Sequence, residues 1–481
     1  MYVVPVIHNS IPPRLQPLKA AGLILILLLV SNHPGRATEF QDLASGFGTT
    51  LRLMGYHQFS TSNPDGTAIN FWTPAAEGAA ASTVPLSNPH MAAADAFGNV
   101  YIADKASHSI LKITTDGLVH TFAGTHVAGF NGDGPASATN LQIYSPNGLF
   151  VFPNGTVYLL DPGNHRIRRV GTNGVMTTIV NDPEPNWYPS GRALWVSSDE
   201  QLIYYTHEFK PLVVGGVTNL FADGAAVKQW TSGDGISTVC SKTVGFRNPA
   251  NIAVNPVDGL LYVTDRGEED TSKIAGGLFR IDGPDQRTRM TGNITQPLAA
   301  DGQQALNSYI DGPRGIAFRP DGSYFICGHK EGSVWFVDKG SVMHKYLRGK
   351  GSGDTYSLSD GLHPPLTVQN YFAQPRAVTL APNGNLLVVC NDSGFVFRVN
   401  SVSPPDLLPD LHLNAQGTNG ASLSWTGVFS HGYRVERSFS LSPSGWQSVG
   451  AVGGNASGPT LFHDPEPAAH PQCYYRILPS L

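Results

Sequence analysis

Asn154-Gly155-Thr156-Val157-Tyr158-Leu159-Leu160-Asp161, followed after a short polar turn by Arg166-Ile167-Arg168-Arg169-Val170, decides how this chain of 481 residues is read. A glycine turn, a short apolar run bounded by an aspartate and a second strand close behind it describe consecutive antiparallel strands. With the proline that precedes it, Pro146, the unit recurs along the chain. Pro89 opens a copy with Gly98-Asn99-Val100-Tyr101-Ile102-Ala103-Asp104 and Ser109-Ile110-Leu111-Lys112-Ile113. Further copies begin at Pro189 (with Leu202-Ile203-Tyr204-Tyr205), Pro249 (with Leu260-Leu261-Tyr262-Val263-Thr264-Asp265), Pro313 (with Ser323-Tyr324-Phe325-Ile326) and Pro375 (with Leu386-Leu387-Val388-Val389). The copies recur every 40 to 65 residues or roughly so, the range of propeller blades.

A lone unit of three or four strands buries one sheet face, whereas radial repetition buries both faces and leaves short, protected edges. The expectation is an all-β fold, a six-bladed β-propeller. The last copy ends its third strand near Gly394-Phe395-Val396-Phe397-Arg398-Val399 and lacks an outer strand of its own. A segment before the first copy must supply it, either Thr50-Leu51-Arg52-Leu53-Met54 or Ala68-Ile69-Asn70-Phe71-Trp72, and the sequence does not choose between them.

The run Phe122-Ala123-Gly124-Thr125, Gly129-Phe130-Asn131-Gly132-Asp133-Gly134-Pro135-Ala136, Ser145-Pro146-Asn147-Gly148-Leu149 and Asp161-Pro162-Gly163-Asn164-His165-Arg166 resembles the bacterial version of the NHL repeat. The resemblance covers about residues 50–400 and implies a six-bladed propeller around a central channel. It leaves function open, because propellers host binding modules and enzymes alike. Beyond the prolines of Ser403-Pro404-Pro405-Asp406, short β runs such as Ala421-Ser422-Leu423-Ser424-Trp425, Tyr433-Arg434-Val435 and Tyr474-Tyr475-Arg476-Ile477 follow at sandwich spacing. Residues 401–481 resemble a linker and a fibronectin type III-like module.

Arg14 and Lys19 precede an apolar stretch from Ala20 to Val30, with Gly35 and Ala37 behind it. A basic region, a short apolar core and small residues make residues 1–37 an expected signal peptide, with 38–400 as propeller and a mature chain starting near Thr38. The expected location is secreted, extracellular or periplasmic, without stable membrane insertion after processing. The 31 basic and 36 acidic residues give a net charge of -5. That balance offers no concentrated basic face and excludes a nucleic-acid partner. We read the protein as a monomer. Four cysteines lack framework spacing and are expected mostly as buried thiols.

In a propeller the residues after the repeat prolines reach one end of the channel: His90, Asn147, Ser190, Ala250, Arg314 and Arg376. His90, Asn147, Arg314 and Arg376 form the expected ligand-binding ring, the two guanidinium forks suiting an anion or carboxylate. His207 and His329, joined by His90, are weak candidates for Zn²⁺, and turn carboxylates for Ca²⁺; no cofactor is expected. Asp104, Asp161 and Asp265 share one repeat position and are expected to bond turn amides. Asp133-Gly134, Asp234-Gly235, Asp301-Gly302 and Asp360-Gly361 read as turns of the connectors between blades. No nucleophile elbow or phosphate loop occurs. The favoured reading is a secreted binding or interaction protein engaging a glycan, an anionic small molecule or a surface protein. The alternative is an extracellular propeller enzyme, a metal-dependent lactonase or lyase or a quinone-dependent sugar dehydrogenase.

Overall fold

The computed structural model describes residues 4–7, 47–55, 69–183, 194–208, 212–214, 217–219, 225–267, 275–292, 295–348, 374–401, 412–415, 421–425, 432–438, 447–453, 460–464 and 472–480. These fall into two compact units, one within 39–403 and the other within 1–38 and 404–481.

Among the described residues, the larger unit is built from six antiparallel blade sheets and one two-stranded hairpin. The first blade runs Pro89–Ala94, Val100–Asp104, Ser109–Ile113 and Val119–Gly124. The second runs Gly148–Val151, Val157–Asp161, Arg166–Val170 and Val175–Asn181, with Ala136–Ser137 added at its rim. The third runs Leu194–Val196, Leu202–Glu208, Ala225–Thr231 and Gly235–Cys240, and an inserted hairpin, Leu212–Val214 with Val217–Asn219, interrupts it. The fourth runs Pro249–Val254, Leu261–Gly267, Ala275–Gly283 and Gln286–Arg289; the fifth runs Pro313–Phe318, Tyr324–Gly328, Ser333–Val337 and Met343–Arg348. The sixth takes Pro375–Leu380, Leu386–Cys390 and Phe395–Ser401 from its own copy, and its outer strand is Phe47–Met54.

Each innermost strand packs against the next, and the sixth returns to the first, which makes the arrangement a closed six-bladed propeller. At that seam Thr379 Oγ1 donates to the Ala92 carbonyl at 2.7 Å. Of the two possible donors of the closing strand, the ladder uses the one containing Thr50–Met54. Phe71 and Trp72 instead lie against the first blade's connector, where the Phe71 amide donates to Ser87 Oγ and Trp72 stacks on His126. Ala68 lies outside the described residues.

The second strands Val100–Asp104, Val157–Asp161, Tyr324–Gly328 and Leu386–Cys390 are buried along their whole length, because neighbouring blades cover both faces. That is why they read as nearly continuous apolar runs rather than alternating ones. Cys240, Cys327 and Cys390 are buried thiols within these interblade cores; nothing is described of the Cys473 side chain.

An acidic residue followed by glycine clamps three connectors to the outer strand of the blade they enter. Asp133 accepts from Thr178 Oγ1 at 2.8 Å and Arg166 Nε at 2.6 Å, and Asp301 accepts the Lys345 amide at 2.8 Å. Glu77 does the same in the first blade, accepting the Thr121 amide and hydroxyl at 2.9 Å each. The glycine is required at Gly134, where φ is +84° and a Cβ would drive into the Met176 carbonyl oxygen. Asp234-Gly235 departs from the expectation. It forms the hairpin turn between the third and fourth strands of the third blade, because Thr231 and Gly235 are paired there. Asp360-Gly361 lies outside the described residues.

In the smaller unit, His412–Ala415, Ala421–Trp425 and Thr460–Asp464 form one sheet, and Gly432–Ser438, Gln447–Gly453 and Gln472–Ser480 form another. Val4–Ile7, from the segment read as an export signal, pairs with Gln472–Ser480 in the second sheet. Leu423 and Trp425 of one sheet and Tyr433, Val435, Tyr475 and Ile477 of the other share a core. Asp464 joins the sheets by accepting from Arg437 and from Tyr475 Oη, each at 2.8 Å.

Ring closure has a direct thermodynamic consequence. Deleting Phe47–Met54 is expected to lower the melting temperature of the entire propeller, because it uncovers Phe395–Ser401 as a free edge. Met54 is fully buried, and Met54→Ala should cost about 2–5 kcal/mol. Calorimetry on both variants checks this, and a deletion that melts like the parent would exclude closure by this strand.

Candidate functional site

Four of the innermost strands begin with the same irregularity. The ladder pairs Pro89 with Asp104 and Met91 with Ala103, leaving His90 bulged between them. Ala250 is bulged in the same way between Pro249 and Asn251, and Arg376 between Pro375 and Ala377. In the fifth blade the bulge holds both Arg314 and Gly315. A bulge takes a residue out of the ladder and re-aims its side chain, which is how sheets place groups at functional rims. Gly315 is required by crowding, since a Cβ there would strike the backbone of Ala377 and Val378 in the sixth blade.

The bulged residues meet across the blade seams. Arg376 donates from one terminal nitrogen to His90 Nε2 at 3.0 Å, across 286 residues of sequence. His90 Nδ1 in turn donates to Asn147 Oδ1 of the second blade. Because the guanidinium can only donate, Nε2 must accept, and this fixes the neutral tautomer with its hydrogen on Nδ1. His90 and Asn147 are both buried. On its other side Arg376 faces Asp392 at 3.7 Å, and Asp392 Oδ2 lies 3.3 Å from His329 Nε2. His329 Nδ1 lies 2.9 Å from the Gln374 carbonyl oxygen, and a neutral ring, which has a single N–H, donates to only one of the two oxygens. Arg314, also buried, completes the group through its charge, which acts on both His329 and Asp392.

These contacts set the charge of the mouth. Burial, reinforced by the guanidinium groups of Arg314 and Arg376, pushes His329 down to about 4 against the opposing pull of Asp392. Burial by itself would raise the Asp392 carboxyl, but the His329 hydrogen bond and the charges of Arg376 and Arg314 hold it down at about 2. Near neutral pH the mouth therefore presents a neutral imidazole, an ionised carboxylate and two guanidinium groups.

His90, Asn147, Arg314, Arg376 and His329 thus gather in one cluster linked across the blade seams. Ala250 occupies its equivalent place without a polar group, and Ser190 lies outside the described residues. His207 is held elsewhere, its Nδ1 3.3 Å from Asp182 Oδ2, so it does not join His90 and His329 around a common centre. No group of three or more His, Cys, Asp or Glu spaced to hold a metal ion occurs among the described residues. Asp104 and Asp265 accept backbone amides of the preceding connector, at Ser87 and Asn88 and at Arg247 and Asn248. Asp161 accepts the Tyr144 amide and adds a buried ion pair to Arg168. The repeat alignment puts the turn Asn391-Asp392 on this face without giving Asp392 a partner, and Gln374 escaped it altogether. Asp392 stands two residues past Cys390, where other blades carry Ala106, Gly163 or Gly267, so the repeat gives the turn its place but the acid no counterpart in those blades.

The two shifts have the same sign in acid. His329 binds its proton more weakly in the fold than in the unfolded chain, so the stability it contributes is lost as the pH falls from about 6.5 to about 4. Asp392 adds a second loss between its ordinary 3.8 and about 2. His329→Gln should flatten the upper window by at most about 3 kcal/mol, read from denaturant midpoints at pH 7 and pH 4.5. A variant with the parent's full acid sensitivity would remove His329 from this role.

No family model matches the chain. Among solved structures it is similar to a protein of unknown function from Bacteroides thetaiotaomicron, at 13% identity and a TM-score of 0.49, covering 73% of this chain and 75% of that one. An auxiliary nutrient binding protein from the same organism is 10% identical with a TM-score of 0.48, over 73% and 76% of the two chains. A gluconolactonase from Xanthomonas campestris is 14% identical with a TM-score of 0.43, over 66% and 86%. What each of those proteins binds or converts is a property of that protein.

Proposed function

We propose that the protein is an exported binding protein of the NHL type whose channel mouth takes an anionic small molecule, and that residues 401–481 form an appended fibronectin type III-like sandwich. One observation carries the ligand class. Asp392 faces Arg376 at 3.7 Å, too far for a close fork, and its side chain is 37% exposed, whereas Arg314 is buried. An exposed carboxylate that meets the Arg376 guanidinium at only 3.7 Å acts as a built-in counter-ion, and a ligand carboxylate can take its place with closer, paired hydrogen bonds. His90 and Asn147 hold the Arg376 fork from behind, so little side-chain freedom is lost when the ligand arrives.

The test uses D-glucuronate, with sodium sulfate alongside it, at low ionic strength. Glucuronate should raise the melting temperature and give a saturable calorimetric isotherm. Arg376→Ala should weaken binding about tenfold or more, and Asp392→Asn should strengthen it by removing the competitor. Absence of binding, or a Kd indifferent to both substitutions, would overturn the reading. Arg376→Ala should leave the fold nearly as stable as before, because Asp392 can turn to solvent; a loss of about 3 kcal/mol would make the arginine structural. Turnover of δ-gluconolactone, or oxidation of an aldose, by the purified protein would replace binding with catalysis.

A further inference from the structure

An open surface pocket of about 570 Å³ lies between the end of the second blade and the third, lined by Asn181, Asp182, Pro183, Trp230, Gly235 and Ile236, none of which belongs to the channel-mouth cluster. That volume is in the range of small-molecule sites. Its polar end is built from buried groups. Asp182 Oδ2 accepts from Lys228 Nζ at 2.8 Å and from Tyr205 Oη at 2.9 Å, with His207 Nδ1 at 3.3 Å. All four side chains are buried, so the carboxylate is locked in position at the pocket wall. Asn181 is exposed at the lip, and Trp230 and Ile236 are half-buried along the apolar side. A Cβ placed on Gly235 would meet nothing within 4 Å, which marks that side as open.

We propose that this pocket is a second binding site, independent of the channel mouth, and that it takes a neutral pyranose. An indole with an isoleucine and a proline offers a broad apolar wall, which suits the C–H face of a sugar ring. A fixed carboxylate and a side-chain amide at the other end suit the paired hydroxyls on the ring's edge. Charge argues against the neighbouring classes: Asp182 opposes an anion, and Lys228 beside it opposes a cation. Blades two and three hold the two halves, so the site exists only because the ring packs them together.

Saturation-transfer NMR and titration calorimetry with cellobiose, maltose, lactose and N-acetylglucosamine test the assignment. At least one of these sugars should bind saturably, and Trp230→Ala should weaken it about tenfold or more. Asn181→Ala, an exposed change that leaves the core untouched, should weaken it several-fold and guards against a Trp230→Ala variant that misfolds. Neither substitution should alter glucuronate binding, and Arg376→Ala should not alter sugar binding. Failure of all four sugars to bind, or binding unchanged in both variants, would overturn the proposal.

Discussion

The antiparallel ladder between Phe47–Met54 and Phe395–Ser401 is the constraint on which the rest of the propeller depends. Five blades complete their sheets from contiguous sequence, and only the sixth must borrow. Once that loan is made, every innermost strand has a neighbour on both sides, and the starts of those strands are forced around one axis. The contact between Arg376 and His90 is a product of that geometry, not of any local preference of either residue. A site of this kind has no existence in a partly assembled ring.

Closure brings the strands together, and the bulges decide what they present. A regular ladder would alternate the side chains at the start of each innermost strand between the two faces of its sheet. One additional residue after Pro89 and Pro375, and two after Pro313, break the alternation where the strand leaves its connector. The freed residues then differ in chemistry from blade to blade: histidine, alanine, arginine, arginine. A repeat that is uniform in backbone thus carries a mouth that is asymmetric in charge, which a symmetric ring of identical residues could not provide.

Much of this was written plainly in the chain. The buried second strands announced themselves because both faces are covered, so Val157-Tyr158-Leu159-Leu160 and Leu386-Leu387-Val388-Val389 could not alternate. The convergence of His90, Asn147 and Arg376 followed from counting residues past each proline. The choice of closing strand did not, because Thr50–Met54 and Ala68–Trp72 are both short apolar segments, and only a three-dimensional register separates a ladder from a connector. Glu77 was hidden because its clamp uses glutamate where Asp133 and Asp301 use the shorter acid. Asp234 misled for the converse reason: the same Asp-Gly pair serves a hairpin as well as it serves a connector. The place of the Asn391-Asp392 turn on this face could be counted from the repeat, but not the role of Asp392, which comes from its neighbours Arg376 and His329 and not from its own stretch of sequence.

The register of the closing ladder also sets how the ring responds to load. Phe47 pairs with Ser401 and Met54 with Val396, so the chain enters and leaves the propeller at the same end of the strand pair. Tension on those two ends runs along the hydrogen bonds, which in an antiparallel pair lie perpendicular to the strands. The bonds are then strained one after another from the Phe47 end, as in a zipper, and never all at once, as they would be if the strands were dragged lengthwise past each other. The joint that resists heat as a cooperative whole is therefore the one most easily peeled by a pull.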